Sequence, residues 1–253
     1  MTADDTGVQR TKAQQIADKL KAAIEQGEYG PGARLPGENV LAEQYEVATL
    51  TARRALKILR TEGLIETKQG AGARVISFEP IRRHGIQRLA RSQWGSGKTV
   101  WSADDRRSPD VDHITVVEGA VPPAHISAVL ELAADETVCV RSRRYVMAGR
   151  PVMIAESYLP QSLVEGSPIT QADTGPGGIY ARLADLGHAP TRFREEIRVR
   201  MPTVEEASRL TIPTERSVLK LARTAFDSDG RAVEINEMTM DSAAYVLDYD
   251  FDA

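Results

Sequence analysis

The chain has one cysteine, Cys139, which excludes an intramolecular disulfide; its place between Val138 and Val140 fits a buried strand residue better than a reactive thiol. Histidine is equally sparse. His84, His113, His125 and His188 are scattered without metal-ligand spacing, and no nucleophile stands beside a base, so the sequence points away from an enzyme and implies no metal and no cofactor. No apolar run approaches the roughly 20 residues that span a bilayer. The opening MTADDTG is acidic and polar, without a charged-then-apolar signal, so the expectation is a cytoplasmic, nucleoid-associated protein with no membrane partner. The first ten residues offer no apolar period and are expected to be a disordered lead-in.

A further absence is local. No acidic residue occurs from Val47 to Thr61, where Ala52, Ala55, Leu56 and Leu59 fall at i, i+3, i+4, i+7 and make one apolar stripe. The opposite side carries Arg53, Lys57 and Arg60, with Arg54 beside it, a basic helix of the width that enters a major groove. Upstream, Ile16, Leu20, Ala23 and Ile24 give Lys12 to Gln26 a helical period that ends at Gly27 and Tyr29-Gly30-Pro31-Gly32. A short helix over Glu38 to Tyr45 completes a three-helix set. After Glu62-Gly63 the pattern alternates through Leu64, Ile65, Thr67 and Val75, broken by Gln69-Gly70-Ala71-Gly72, which predicts a glycine-tipped hairpin flanked by Lys68 and Arg74. Such a tip can approach a narrow minor groove closely.

The run Leu35-Pro-Gly-Glu, Leu41-Ala, Val47, Thr51-Ala-Arg-Arg-Ala-Leu, Leu59, Glu62-Gly-Leu-Ile and Gly70-Ala-Gly resembles the winged helix-turn-helix domain of GntR-family transcription regulators. The resemblance implies double-stranded operator DNA as partner and Asn39, Thr49, Thr51, Arg53, Arg54, Lys57, Lys68, Gly70 and Gly72 as DNA-contacting residues. The family usually has arginine at the positions of Asn39 and Thr49 and keeps the one at Arg53. Asparagine prefers adenine where arginine prefers guanine, so an operator unlike the common family half-site is expected.

The 253 residues suffice for two modest domains. Residues 1–78 hold 11 Lys+Arg against 10 Asp+Glu, which leaves 21 against 26 for the remainder, so the cations of the first domain count through their placement. The expected division is a DNA-binding domain over 11–78, a basic linker over 79–106 and a second domain over 107–253. From Pro80 to Lys98 five cations (Arg82, Arg83, Arg88, Arg91, Lys98) occur with no acid; this stretch either follows flanking phosphates or docks Trp94 and Trp101 on the second domain.

Beyond His113, strands and helices alternate: strands near 114–118, 137–146, 152–158, 192–200, 218–226 and 232–239, helices over 124–132, 179–186 and 204–210, with tight turns at Ala148-Gly149-Arg150 and Ser228-Asp229-Gly230. Hairpin-joined strands predict an α+β domain with an antiparallel sheet. Arg143-Arg-Tyr, Gly149-Arg-Pro-Val, Ser157-Tyr-Leu-Pro, Ile179-Tyr, Glu205-Glu-Ala, Leu219, Arg223 and Asp229-Gly-Arg-Ala-Val-Glu resemble the UTRA effector domain of the HutC-like subfamily, whose fold is similar to chorismate lyase. The segment with Trp94-Gly and Trp101 is similar to actinobacterial members.

The resemblance implies a homodimeric, ligand-responsive repressor on a palindromic operator. Members that bind sugar phosphates use an R-x-R pair and a serine before the I-Y dipeptide; here those positions are Arg143, Tyr145 and Gly178, and a common carboxylate position is Ala155. The expected effector is therefore not a sugar phosphate but an aromatic, acyl or amphipathic molecule held by Arg143, Tyr145, Tyr158, Tyr180, Glu234 and Asn236. Arg141, Arg144 and Arg198 are expected to be solvated. A constitutive DNA-binding regulator, whose second domain only dimerises or contacts a protein, is the alternative.

Overall fold

The computed structural model describes residues 10–68, 72–77, 79–85, 87–90, 92 and 109–250, in two compact units that divide at Glu79 and Pro80. Residues 1–9 of the expected lead-in over 1–10, and the tryptophans Trp94 and Trp101, lie outside the described residues.

In the first unit, helix α1 (Lys12–Glu25) starts at Thr11, whose hydroxyl accepts the Gln14 amide and so satisfies one of the free first-turn donors. Helices α2 (Glu38–Gln44) and α3 (Thr49–Thr61) follow, then the hairpin strands β1 (Ile65–Lys68) and β2 (Gly72–Val75), paired antiparallel from Ile65 opposite Val75 to Lys68 opposite Gly72. Ile16, Ala17 and Leu20 of α1, Leu41 of α2, Ala52, Ala55 and Leu59 of α3, and Ile65, Ala73 and Val75 of the hairpin form one core. Fully burying each large apolar side chain contributes about 1.5–3 kcal/mol. Helix α2 closes with Glu46 in the left-handed region (φ 50°), while the Val47 amide reaches back to the Ala42 carbonyl; glycine is the usual residue at such a helix end. This closure turns the chain so that α3 presents its polar side outward.

The second unit is built on a six-stranded antiparallel sheet of order β4-β5-β6-β9-β8-β7. Its strands are β4 (Asp110–Ala120), β5 (Val138–Met147), β6 (Arg150–Pro160), β7 (Arg192–Arg200), β8 (Val218–Phe226) and β9 (Ala232–Asp241). Between them lie helices α4 (Ala124–Leu130), α5 (Gln161–Val164), α6 (Gly178–Asp185) and α7 (Val204–Leu210). The β5–β6 hairpin turns through Ala148 (φ 51°) and Gly149 (φ 75°), two successive left-handed residues that match the twist of the strands they join.

Helix α5 and a pair of strands have no counterpart in the sequence expectation. Ile81–His84 forms a strand, β3, paired parallel with β10 (Tyr245–Asp248), so this part of the expected linker belongs to the second unit. Arg83 is 1 % exposed and its guanidinium meets Glu195 of β7, so this cation is drawn inside rather than laid along a connector, while its neighbour Arg82 stays exposed. Arg88 is buried as well.

Candidate DNA interface and effector site

Helix α3 buries Ala52, Ala55 and Leu59 and exposes Thr49, Leu50, Arg53, Arg54 and Lys57. Thr51 and Arg60 are half-buried, so Arg60 stands aside from the exposed basic face. Asn39, in the first turn of α2, is exposed. Arg53 makes a two-pronged contact with Glu38: Nε donates to Oε2 at 2.6 Å and Nη2 to Oε1 at 3.1 Å. That hydrogen bonding lowers the Glu38 carboxyl below its ordinary range. The absence of acids within α3 therefore does not mean that none is near, because α2 brings a carboxylate across the turn. On the hairpin, Arg34 is the cation that sequence reasoning missed. It bridges to Arg74, and its guanidinium lies so close to Gly72 (φ 75°) that a Cβ there would sit 3.3 Å from Nε. The left-handed conformation is what favours glycine here; a side chain would also require the Arg34 guanidinium to move by a few tenths of an ångström. The Lys68 side chain and Gly70 lie outside the described residues.

In the second unit, strand alternation separates two faces. One carries Arg141, Arg143 and Tyr145 of β5, Ser157 of β6, Glu234 and Asn236 of β9, and Arg223 of β8; Arg141 is opposite Ser157, Ser157 opposite Asn236, and Asn236 opposite Arg223. Tyr180 of α6 joins this face, with the Arg223 guanidinium 5.5 Å from its ring centre. Arg143 donates to the Ser157 hydroxyl at 2.6 Å and stands 6.0 Å from the Tyr145 ring. Burial raises the Tyr180 hydroxyl pKa, so the ring stays neutral. Burial opposes the charge on Arg223, which is 4 % exposed, yet Tyr180, Glu234 and Glu195 around it outweigh that cost and leave its pKa raised.

Three expectations about this domain need correction. Tyr158 lies on the opposite face, in a cluster with Ile126, Leu130 and Phe226, and donates its hydroxyl to Glu156 at 2.9 Å. Alternation from Arg143 through Ala155 places it there, since Tyr158 follows Ser157. Arg141 is 2 % exposed rather than solvated, because it donates to the carbonyls of Ile169, Gln171 and Ala172 and ties that loop to the sheet. Arg144 is half-buried and paired with Asp112 at 2.6 Å, whereas Arg198 is exposed as expected. Cys139 is fully buried among Leu159, Leu183 and Ala225.

Residues 12–75 match the family described as bacterial regulatory proteins, gntR family, and residues 107–246 match the UTRA domain. An HTH-type transcriptional regulator of Streptomyces coelicolor is 31 % identical over 251 residues, covering 95 % of this chain and 92 % of that protein. The chain belongs to the GntR family. The GntR match covers the three helices and the hairpin, while the UTRA match covers the six-stranded sheet, in keeping with a HutC-like regulator. The HTH-type transcriptional repressor NagR of Bacillus subtilis is 26 % identical over 226 residues, 87 % of this chain and 86 % of NagR. Among solved structures, a GntR-family regulator has the same fold at a TM-score of 0.60 and 24 % identity, with 96 % of this chain and 98 % of the other covered. PhnF from Mycobacterium smegmatis gives 0.55 and 22 %, over 94 % and 99 %. This GntR-family chain is thus a DNA-binding transcription regulator with a ligand-binding domain, and no described helix is long and apolar enough to cross a membrane.

Proposed function

We propose that the chain is a homodimeric repressor that leaves a palindromic operator when a small molecule carrying an acidic group, a hydrogen-bond donor and an apolar or aromatic body binds the Arg143–Arg223 face of its sheet. One observation carries the effector side of this reading. The Arg223 Nε and Nη1 donors and the Asn236 Oδ1 acceptor are buried without a hydrogen-bond partner among the described residues. Buried polar groups are normally satisfied, so this trio is suited to a ligand that accepts from arginine and donates to an amide oxygen. Arg83 and Arg141 are committed to Glu195 and to loop carbonyls, whereas Arg223 keeps two buried donors without a partner among the described residues and Arg143, bound to the Ser157 hydroxyl, stands on the same face. Tyr145 and Tyr180 supply ring area, and the substitution of Tyr145 and Gly178 at positions that hold phosphate in relatives favours a carboxylate over a sugar phosphate.

On the DNA side, Arg53 is the proposed base reader, supported by Asn39, Thr49, Thr51, Arg54 and Lys57, with Gly72 and, beyond the described side chains, Lys68 and Gly70 at the hairpin. Two such helices held by a dimer would match a two-fold operator. A ligand shifts the balance only by its difference in affinity for the two states, about 1–3 kcal/mol in typical regulators. A thermal-shift screen of aromatic and acyl carboxylates against hexose phosphates tests the effector class. A rise in melting temperature with carboxylates, followed by operator release, is expected. A rise with hexose phosphates alone would contradict it.

A further inference from the structure

The sheet has two edges, β4 and β7, and they differ. Strand β4 meets β5 through two register shifts, between Val111 and His113 and between Val117 and Ala120, and bulges of this kind protect an edge from further pairing. Strand β7 pairs with β8 without interruption from Arg192 to Arg200 and has no second strand neighbour among the described residues. Its outer half is exposed on both faces, and Ile197 (39 % exposed), Val199 (64 %) and Met201 (55 %) stand at i, i+2, i+4 along one of them. A regular edge with an apolar row is a template for another strand.

We infer that β7 is the seam of the homodimer, pairing antiparallel with the β7 of a second copy about a two-fold axis at Ile197. This inference rests on the homodimer reading above and identifies its surface. Charge selects the partner and the register. In the pairing centred on Ile197, Glu196 of each copy faces Arg198 of the other, twice by symmetry. Both residues are exposed, and neither makes an ion pair among the described residues. Centring on Glu195, Glu196 or Arg198 sets like charges on the axis, and centring on Val199 sets Arg198 against Arg200. Only Ile197 puts an apolar residue on the axis with opposite charges beside it. The chosen register also brings Arg194 near Arg200 of the other copy, but Arg200 is already neutralised by Glu206 within its own chain, through contacts of 2.7 Å from both Nη atoms. The seam lies beside the effector face, since Glu195, two residues from the axis, is directly opposite Arg223.

Sedimentation equilibrium of the full chain without DNA tests this. Glu196→Arg and Arg198→Glu each create two like-charge pairs and are expected to raise the dimer dissociation constant by about tenfold, since cross-strand charge pairs contribute up to about 1 kcal/mol each. The double exchange restores opposite charges and is expected to return to within about threefold of the unmodified chain. Ile197→Asp, a change at an exposed position, is expected to leave thermal unfolding of the domain cooperative while giving monomers at concentrations where the unmodified chain is dimeric. Unchanged dimerisation in all four variants would overturn the seam and leave the homodimer standing. Weakening by both single changes without recovery in the double would overturn the Ile197 register. A monomeric unmodified chain would overturn the seam together with the homodimer reading.

Discussion

The two units use arginine in opposite ways. On α3, Arg53 and Arg54 stand in solvent, and Arg53 is steadied by one carboxylate at the surface. In the second unit Arg83, Arg88, Arg141 and Arg223 are all buried, each at 5 % exposure or less. An exposed pair is screened and contributes little to stability, so the side chain remains available to DNA. A buried guanidinium must be matched, and its partners are therefore tied to the fold. The lesson is that a run of cations has no fixed meaning; α3 and the 80–98 stretch look alike in charge, and only the position of carboxylates remote in sequence tells them apart.

The sharpest break of this contrast is at Glu195. Replacing it by alanine leaves Arg83 buried without its partner and is expected to cost about 3–5 kcal/mol in chemical denaturation. Burial works against the Glu195 charge, but the hydrogen bond and charge of Arg83 prevail and hold its pKa below the ordinary 4.5. Because the folded pKa is depressed, the stability contributed by this group is present above about 4.5 and is lost as pH falls through the folded value. Glu195→Gln should flatten that acid-side slope in a melting-temperature profile.

By contrast, Arg53→Ala is expected to leave the melting temperature nearly unchanged while operator affinity, measured by fluorescence anisotropy, falls by about 1–3 kcal/mol through loss of a bidentate base contact. If folding were to suffer instead, the two roles of arginine would not be separate. On the effector side, Arg223→Lys keeps the charge that balances Glu234 and Glu195 but loses the forked donors, and is expected to reduce the carboxylate-induced melting shift while operator binding without effector persists. The smallest effect is expected at Tyr158→Phe, which removes one hydrogen bond to Glu156 and costs about 1 kcal/mol. Its effector response should match that of the unmodified chain, because Tyr158 faces the other side of the sheet.

Much of this fold was legible because local periodicity decides it. The bounds of β7, α7 and β8 agree with the alternation and helical spacing in the sequence, and the stripe of Ala52, Ala55 and Leu59 is the face that α3 buries. The parallel pairing of β3 with β10 was not legible, since Ile81 and Tyr245 are far apart in the chain and Ile-Arg-Arg-His has the composition of a solvated segment. At the effector face, residue type singled out Arg143, Tyr145, Tyr180, Glu234 and Asn236, and the sheet brings them to one side. Tyr158 is the exception, and period-two alternation explains it: Ala155, opposite Arg143, shares its face with Ser157, which puts Tyr158 on the other side. Arg223, recognised only as part of a resemblance, shows its importance through burial, which no local pattern reveals.

Selection of binding sites from random duplex DNA at physiological salt, with the unmodified chain and with Arg53→Ala, tests the central claim most directly. The account predicts a two-fold symmetric motif, distinct from the common half-site of the family because Asn39 and Thr49 replace arginines, and its loss in the variant. No enriched motif, or an equal motif from both proteins, would contradict it.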